Sequence, residues 1–312
     1  MTSLGVGGKE ACMSVLDLID SQRRAVFLDG AMGTQLGEAG LEMGGQNNVT
    51  HPDAVRAVHE RYVACGVDLL ITNTLTMNRI NIEAHGVGVD VREVNLEGAR
   101  LAKAAAREGQ YVLGDMSSTG KMLKPYGQLD EDDAYAAFRE QALLLAEGGV
   151  DAFIIETMFD LREALCAVRA AREASELPII ATMAFNTADN GGRTVMGNTA
   201  EQCARALTDA GACAVGANCG SLDPLEVAEV VALMRTATSV PLVAQPNAGK
   251  GRMVDKRLVY DMQPAHFVAG ISECVRAGAL LVGGCCGTSP AHIKAMVESI
   301  GGAESQSDTM DR

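Results

Sequence analysis

Basic residues are scarce in this sequence. It has 26 Lys and Arg against 40 Asp and Glu, a formal net charge of -14, and no run of Lys and Arg dense enough to follow a phosphate backbone. Binding to DNA or RNA rests largely on such basic surfaces, so we exclude nucleic acid as a partner. The excess of acidic charge is typical of a soluble protein surface.

Long apolar runs and an export signal are also missing. No run reaches the roughly 18 to 20 residues that span a bilayer, and the opening MTSLGVGGKEAC lacks the basic start and apolar stretch of a secretory signal. The nine cysteines are an odd number for a disulfide framework, which indicates reduced thiols. We therefore expect a cytoplasmic protein without membrane association, in which some cysteines are free to bind metal.

The sequence does contain short apolar runs that alternate with helical patterns. Eight of these runs have the character of buried parallel strands. They are AVFLDG (25–30), DLLITNT (68–74), YVLGDM (111–116), AFIIET (152–157), PIIATMAF (178–185), AVGANC (214–219), PLVAQPN (241–247) and LLVGGCC (280–286). The segments between them, such as 53–64 and 135–146, place apolar residues on one helical face.

Eight such units in 312 residues predict an α/β fold, a (β/α)8 TIM barrel in a single domain. The alternative is a doubly wound open sheet, which usually carries a G-x-G-x-x-G loop after its first strand, and FLDGAMGTQL has none. We expect an N-terminal extension at 1–20, the barrel at 21–300 and a disordered polar tail at 301–312. Long connections at 117–133 and 248–263 follow strand ends, where barrel enzymes build their sites.

The residues at the carboxyl ends of barrel strands share one mouth. The strand ends in this sequence are Asp29, Asn73, Asp115, Glu156, Phe185, Cys219, Asn247 and the pair Cys285 and Cys286. Strands six and eight are separated only by strand seven, so Cys219, Cys285 and Cys286 can form one cluster. Three thiolates with an open fourth position match catalytic Zn2+. Cu(I) and an iron–sulfur cluster are alternatives, and the lack of a fourth convergent cysteine disfavours the cluster.

The stretch LVGGCCGTSP surrounds the cysteine pair with glycines. Successive strand residues face opposite sides, so Cys285 and Cys286 can meet one ion only where the backbone leaves the strand. Gly283, Gly284 and Gly287 permit the dihedral angles of such a turn, and their N–H groups are candidate donors to the sulfurs. The other six cysteines are expected to be small buried residues or to lie at the surface.

Acidic side chains at the strand ends are candidates for substrate binding or proton transfer. Asp29 and Glu156 are the first choices, as ligands of a substrate ammonium, as general acid and base, or as structural groups, and Asp115 ranks below them. Asn73 and Asn247 are further substrate-binding candidates. None of the five histidines falls at a strand end or forms an H-x-x-x-H pair, so we expect structural or solvated roles for them.

Seven segments, in their order and spacing, resemble the homocysteine S-methyltransferase family. They are FLDGAMGTQL, TNT, TGKMLKPYG, IIET, GANCG, PNAGK and LVGGCCGTSPAHI, and the likeness covers residues 25–300. Within the family, they look most like the homocysteine-binding module of cobalamin-dependent methionine synthase. The resemblance implies a (β/α)8 barrel that binds Zn2+ through Cys219, Cys285 and Cys286.

The same resemblance implies roles for other residues and a reaction. Glu156 and, less surely, Asp29 would hold the homocysteine amino group, and Asn247 would occupy the fourth metal position without substrate. The implied enzyme is a zinc-dependent S-methyltransferase that converts homocysteine to methionine. We find no D-x-H-x-x-G run for cobalt and no glycine-rich S-adenosylmethionine loop. The methyl group is therefore expected from methylcobalamin or a separate methyl-corrinoid protein.

Several alternatives stay open at this point. S-methylmethionine or S-adenosylmethionine is the alternative methyl donor. A different acceptor thiol is possible because DMSSTG has Ser117 and Ser118 where the methionine synthase branch usually has glycine and proline. Two alternatives come from other classes: a non-catalytic metal-binding barrel subunit, and a barrel whose cysteines act as redox groups or nucleophiles without metal.

Overall fold

The computed structural model describes residues 14–20, 25–254 and 257–307. Eight parallel strands form its main sheet. They are β1 Val26–Phe27, β2 Leu69–Ile71, β3 Tyr111–Met116, β4 Ala152–Met158, β5 Ile179–Met183, β6 Ala214–Asn218, β7 Leu242–Gln245 and β10 Ala279–Val282. Their spatial order is β1-β10-β7-β6-β5-β4-β3-β2.

The two ends of this sheet meet. Leu28 pairs in parallel with Leu69, and the Asp29 N–H donates to the Leu69 carbonyl at 3.1 Å, so the residues after β1 join β2. Each strand of this sheet otherwise pairs with the next strand of the same sheet along the chain, and the β1–β10 pair brings its first and last strands together. The eight predicted strands and the TIM barrel are confirmed.

Helices follow the strands and cover the outside of the barrel. They are α1 Val15–Asp20, α2 Met32–Glu38, α3 Asn47–Thr50, α4 Pro52–Val63, α5 Arg79–His85, α6 Val91–Ala105, α7 Glu131–Glu147, α8 Leu161–Ala174, α9 Ala200–Asp209, α10 Pro224–Arg235, α11 Pro264–Arg276 and α12 Pro290–Ser307, with a 3-10 turn at Asp189–Gly191. The helices predicted at 53–64 and 135–146 correspond to α4 and α7. None of the helices in the described part of the chain is long and apolar enough to cross a membrane.

Strand alternation divides the apolar residues into two cores, because successive side chains point to opposite faces. On β4, Phe153 and Ile155 belong to the large core between the sheet and the helices, whereas Ala152 and Ile154 belong to a core inside the barrel. The helical side of the large core follows the 3.6-residue period. On α7, for example, it includes Ala134, Phe138, Ala142 and Leu145.

The helix α1 lies in the predicted N-terminal extension and packs against the barrel. Val15 and Ile19 are buried in the core inside the barrel, together with Tyr111 at the start of β3 and Cys213 just before β6. Those residues lie at the amino ends of the strands, so α1 covers the end of the barrel opposite the mouth. Residues 1–13 of the predicted extension lie outside the described residues.

Two of the predicted irregular regions contain secondary structure. The connection at 248–263 includes an antiparallel hairpin, β8 Arg252–Val254 and β9 Arg257–Val259, which strand-pattern reasoning missed because the segment is short and polar. The helix α12 continues to Ser307, inside the predicted tail. Residues 308–312 of that tail lie outside the described residues.

A buried histidine on α4 should make folding stability depend on pH. His59 is fully buried, and among the described residues neither of its ring nitrogens has a hydrogen-bond partner. Burial lowers the pKa of His59 from 6.5 to about 4. Since the unfolded chain then binds the proton more tightly, stability should fall by about 3 kcal/mol as pH drops from 6.5 to 4, and this contribution should level off below that.

Urea unfolding across this pH range measures the effect. A His59→Leu variant should lose this component of the pH dependence, while the matched change of the exposed histidine, His266→Leu, should keep it. An unchanged slope in the His59→Leu variant would show that other groups dominate the acid response.

Candidate active site

A layer of polar side chains lies inside the barrel at its carboxyl end. Side chains along a strand face the inside of the barrel at every second position. On β3 to β7, the last inward-facing position is polar and the one before it is apolar or glycine. The members of this layer are Asp115 on β3, Glu156 on β4, Thr182 on β5, Asn218 on β6 and Gln245 on β7. All five are less than 9% exposed, so the mouth opens onto a polar floor above an apolar core.

The three predicted cysteines meet at the edge of this layer. The sulfurs of Cys219, Cys285 and Cys286 all lie within 4.8 Å of one another, and those of Cys219 and Cys286 are 3.8 Å apart. Tetrahedral zinc with Zn–S bonds of about 2.3 Å requires sulfurs about 3.8 Å apart. The cluster therefore has the donor set that three ligands of Zn2+ need, and its Cys219–Cys286 pair has the required spacing.

Backbone conformation aims the first of these sulfurs. Cys219 has φ of 52°, in the left-handed region that residues with a Cβ rarely adopt, and Gly220 follows with φ of 69°. A Cβ at Gly220 would lie 2.3 Å from the carbonyl oxygen of Phe185, so only glycine fits there. The Cys219 N–H is held by the Gln245 carbonyl at 3.1 Å. This strained turn carries a candidate metal ligand, as strained backbone often does at functional sites.

The glycines around Cys285 and Cys286 serve close packing more than unusual dihedral angles. Only Gly287 among them has a positive φ, 77°, and a Cβ there would strike the Tyr260 ring. At Gly283 a Cβ would lie 2.8 Å from the Leu28 side chain, and at Gly284 it would lie 2.6 Å from Thr288. Of the three glycines expected to permit turn dihedral angles, Gly287 is the one that has a positive φ.

The N–H groups of these glycines are also engaged away from the sulfurs. Gly283 donates to the Ala244 carbonyl, Gly284 to the Asp29 carbonyl, and Gly287 to the Thr34 hydroxyl at 3.3 Å. The suggestion that they donate to the sulfurs is not borne out.

A buried hydroxyl group fixes the cysteine loop against the first strand. Thr288 Oγ1 donates to the Cys285 carbonyl at 2.7 Å and accepts from the Ala31 N–H at 3.0 Å. Tyr62 on α4 donates to the Ala31 carbonyl at 2.9 Å. These contacts join residues 257 positions apart in sequence, so the two sides of the mouth are held in one arrangement.

The three thiols differ in acidity because they donate to one another. Hydrogen bonds from the thiols of Cys219 and Cys285, with one from the Tyr260 hydroxyl, lower the pKa of Cys286 to about 3. Donation to Cys219 and to Cys286, together with burial, raises the pKa of Cys285 well above its usual range. Tyr260, at the end of the hairpin connection, is thus a neighbour of the cluster that the sequence did not identify.

Three carboxyl groups lie near the cysteines. Burial raises the pKa of Asp29 and of Asp115 well above the usual range, and the charge of Glu156 adds to both shifts. Burial, followed by the negative charge of Cys286, raises the pKa of Glu156 to about 7. Asp29 Oδ2 accepts from the Ile71 N–H at 3.0 Å, whereas Oδ1 of Asp29 and of Asp115 has no partner among the described residues.

Asn218 holds Glu156 in place. Its Nδ2 donates to Glu156 Oε2 at 3.0 Å and to Thr157 Oγ1 at 2.7 Å, and its Oδ1 accepts from the Thr157 N–H and the Thr182 hydroxyl. Thr157 has φ of 59°, and the pairing of β4 with β5 is irregular between Ile155 and Met158. Such bulges commonly re-aim side chains beside active sites.

A cavity of about 300 Å3 opens beside the cysteines. Its lining includes Asn73, Asp115, Glu156, Gln245, Cys285 and Cys286. Asp29 and Asn247 are buried next to this cavity and are not part of its lining. Asn247 Nδ2 donates to the Gly220 carbonyl at 3.0 Å, and its Oδ1 has no partner among the described residues.

Two further strand-end residues, Asn73 and Phe185, differ in where they lie relative to the cavity. Asn73 lines the cavity, but its Nδ2 is already used, donating to the Gly44 carbonyl and to Asn48 Oδ1. Phe185 belongs to the large outer core and does not line the cavity. Of the six cysteines outside the cluster, Cys65, Cys166, Cys203 and Cys274 are buried and Cys213 is half-buried, while Cys12 lies outside the described residues.

The sequence pattern of one protein family, described as Homocysteine S-methyltransferase, matches residues 26–300. The chain belongs to the homocysteine S-methyltransferase family. The match confirms the family resemblance seen in the sequence. The matched range contains all eight barrel strands and all three clustered cysteines.

Two proteins with sequences similar to this chain are much longer than it is. A methionine synthase from Mycobacterium leprae and one from Mycobacterium tuberculosis are each 30% identical over 306 residues. The alignment covers 91% of this chain and 25% of each relative, so the chain spans about a quarter of their length.

Several solved structures have a fold similar to that of this chain. The homocysteine methyltransferase MmuM from Escherichia coli, in its metallated form, superposes with a TM-score of 0.73 at 21% identity, covering 90% of this chain and 98% of that one. The carboxyl transferase domain of Rhizobium etli pyruvate carboxylase gives a TM-score of 0.56 at 16% identity, covering 97% and 49%. At these identities the likeness establishes the fold alone.

Proposed function

We propose that this protein is a zinc-dependent S-methyltransferase that methylates homocysteine to methionine. The observation that carries the proposal is the packing of Cys219, Cys285 and Cys286 beside a cavity lined by buried carboxyl groups. Family membership supports the reaction class. The sulfur spacing supports the metal, and the carboxyl groups support an acceptor that carries an ammonium group.

Cys219, Cys285 and Cys286 would hold the Zn2+. When bound, the metal would supply a Lewis acid that lowers the pKa of an acceptor thiol, so that the thiol loses its proton to solvent at neutral pH, where a free thiol with a pKa of about 8.5 is mostly protonated. The chain contributes a frame that keeps the sulfurs together: the left-handed turn at Cys219 and the Thr288 bridge. Asn247 has a buried Oδ1 without a partner among the described residues, and its Nδ2 donates to the Gly220 carbonyl. We assign it as the fourth ligand of the Zn2+ when no acceptor thiol is bound.

The carboxyl groups suit the ammonium group of an amino acid thiol. Glu156 and Asp115 line the cavity next to Cys285 and Cys286, and Asp29 is buried behind them. A buried ammonium requires opposite charge and hydrogen-bond acceptors. We therefore assign Glu156, with Asp29 and Asp115, to the amino group, and Asn73 to the wall of the same cavity.

The exposed apolar side chains around the mouth of the barrel favour a large methyl donor that docks on this surface. Exposed apolar side chains stand on the loops that follow β3 and β4 and on the hairpin: Met122 is 52% exposed, Tyr126 70%, Phe159 42%, Met253 66% and Leu258 53%. Apolar groups clustered around a site often mark a docking surface. We propose that methylcobalamin, carried by a corrinoid protein or domain, presents its methyl group here.

The two serines that suggested a different acceptor are turned away from the cavity. Ser118 donates its hydroxyl to Glu163 Oε2 at 2.8 Å, and Ser117 is buried; neither lines the cavity. These two positions therefore give no structural reason to prefer another acceptor thiol over homocysteine.

A grid of acceptors against donors tests the proposal. The purified protein is incubated with homocysteine, cysteine or glutathione and with methylcobalamin, S-methylmethionine or S-adenosylmethionine, and methylated thiol is measured. We expect methionine from homocysteine and methylcobalamin, loss of activity on chelation, and recovery with Zn2+. Stoichiometric zinc without product from any pair would indicate a non-catalytic subunit, and activity that survives chelation would indicate metal-free cysteine chemistry.

A further inference from the structure

Gln245 is the one member of the polar layer whose side chain is left without a role. It ends β7, is 1% exposed and lines the cavity together with Asp115, Glu156 and Cys285. Its Oε1 is buried and has no hydrogen-bond partner among the described residues.

The neighbouring amide in the polar layer, Asn218, is fully hydrogen-bonded to the protein, in contrast to Gln245. Asn218, paired with Gln245 across the β6–β7 ladder, uses both ends of its amide in hydrogen bonds with Glu156, Thr157 and Thr182. A buried polar group without a hydrogen-bond partner destabilises the folded protein. Gln245 has such an unpaired oxygen at the wall of a cavity. A side chain that binds a ligand in the cavity is expected to have this arrangement when the ligand is absent.

The chemistry of the cavity indicates which ligand group Gln245 meets. The other buried atoms without partners near the cavity are also oxygens, Oδ1 of Asp29, Asp115 and Asn247, and Glu156 adds a further carboxyl group. A primary ammonium brings three N–H donors to such a set. Three ionised carboxylates cannot be close together at low cost, whereas an amide oxygen accepts a hydrogen bond without adding charge.

We propose that Gln245 Oε1 accepts a hydrogen bond from the ammonium group of the acceptor thiol, which makes Gln245 a specificity-determining residue. This inference rests on the proposed function, since it assumes an acceptor with an amino group. In this arrangement Glu156 supplies the opposite charge, and Gln245 supplies a neutral acceptor on the side of the cavity formed by β7.

Binding measurements on the zinc-loaded protein test the proposal. Homocysteine is compared with 4-sulfanylbutanoate, the same thiol without the amino group, by titration calorimetry for the wild type and for Gln245→Met. We expect the variant to bind homocysteine roughly 10- to 100-fold more weakly, the loss of one hydrogen bond to a charged group. Its affinity for 4-sulfanylbutanoate should stay within about twofold of the wild type.

A second readout separates ligand binding from structural support. Because Gln245→Met removes a buried polar group that has no protein partner, the ligand-free variant should have a Tm at or above that of the wild type. Gln141→Met is the matched control: Gln141 is also buried and its Oε1 also has no partner among the described residues, but its Nε2 donates to the Thr74 carbonyl and to Asn95 Oδ1, away from the cavity. It should lower Tm and leave the ratio of the two thiol affinities unchanged.

The outcomes distinguish this inference from the proposed function. Equal weakening of both thiols, or unchanged homocysteine affinity in Gln245→Met, would overturn the inference even when the wild type methylates homocysteine. A wild type that fails to bind homocysteine would overturn both. Should Gln245→Met not accumulate as folded protein, Gln245→Leu removes the same oxygen and is judged by the same two measurements.

Discussion

Replacing Cys286 by alanine is expected to remove the bound zinc and to lower methyl transfer to homocysteine by more than roughly 100-fold. Loss of an outer partner of a metal ligand already costs about 10- to 100-fold in affinity or activity, and loss of a ligand costs more. Cys286 is one of three sulfurs that lie within 4.8 Å of one another. With two sulfurs remaining, the donor set no longer matches a three-ligand catalytic zinc site.

The measurement is zinc content per chain, followed by methionine formation. The wild type should carry about one zinc and the variant almost none. Cys213→Ala is the matched control, because Cys213 is half-buried just before β6 and lies at the opposite end of the barrel. It should retain metal and activity, and a Cys286→Ala protein that keeps both would sink the zinc hypothesis.

The second large effect is expected at the amino-group site. Glu156→Gln should raise KM for homocysteine by roughly 100-fold or more with a smaller change in kcat, because removing one charge of a buried ion pair costs about 3 to 5 kcal/mol. The amide also disturbs the hydrogen bond from Asn218, which donates to Glu156 Oε2. Activity with 4-sulfanylbutanoate, which has no amino group, should change little.

Glu163→Gln provides the control for this experiment. Glu163 is buried to a similar degree, but its carboxylate accepts from the Ser118 hydroxyl and from the N–H and hydroxyl of Thr119, outside the cavity. Its loss should reduce stability and leave the preference for homocysteine intact. If Glu156→Gln and Glu163→Gln change both thiols in the same way, Glu156 does not bind the amino group.

The barrel and the cysteine cluster were both within reach of sequence reasoning. Buried parallel strands are short apolar runs, and their recurrence with helical segments indicates the fold. Once the strands are known, their carboxyl ends converge, so Cys219 on one side of β7 and the Cys285–Cys286 pair on the other had to be close. The same logic placed Asp115 and Glu156 at the mouth.

Side-chain direction inside the barrel was the point that sequence reasoning missed. The strand-end residues read for strands five, six and seven were Phe185, Cys219 and Asn247, of which Cys219 lies in the cysteine cluster and Phe185 in the outer core. The alternation of strand side chains instead points Thr182, Asn218 and Gln245 into the barrel. That signal was present: in Val215-Gly216-Ala217-Asn218, the outer residues Val215 and Ala217 alternate with positions facing inward.

The sequence by itself determined the eight strands, the barrel and the cluster of three cysteines, because these depend on local periodicity and on the convergence of strand ends. Only the tertiary structure decided how the site is held. The Thr288 bridge to Ala31, the strain at Cys219 and the packing of Tyr260 against Gly287 are contacts between segments distant in the chain. No local pattern encodes such contacts, since they exist only once the folded backbone brings those segments within hydrogen-bond or van der Waals distance.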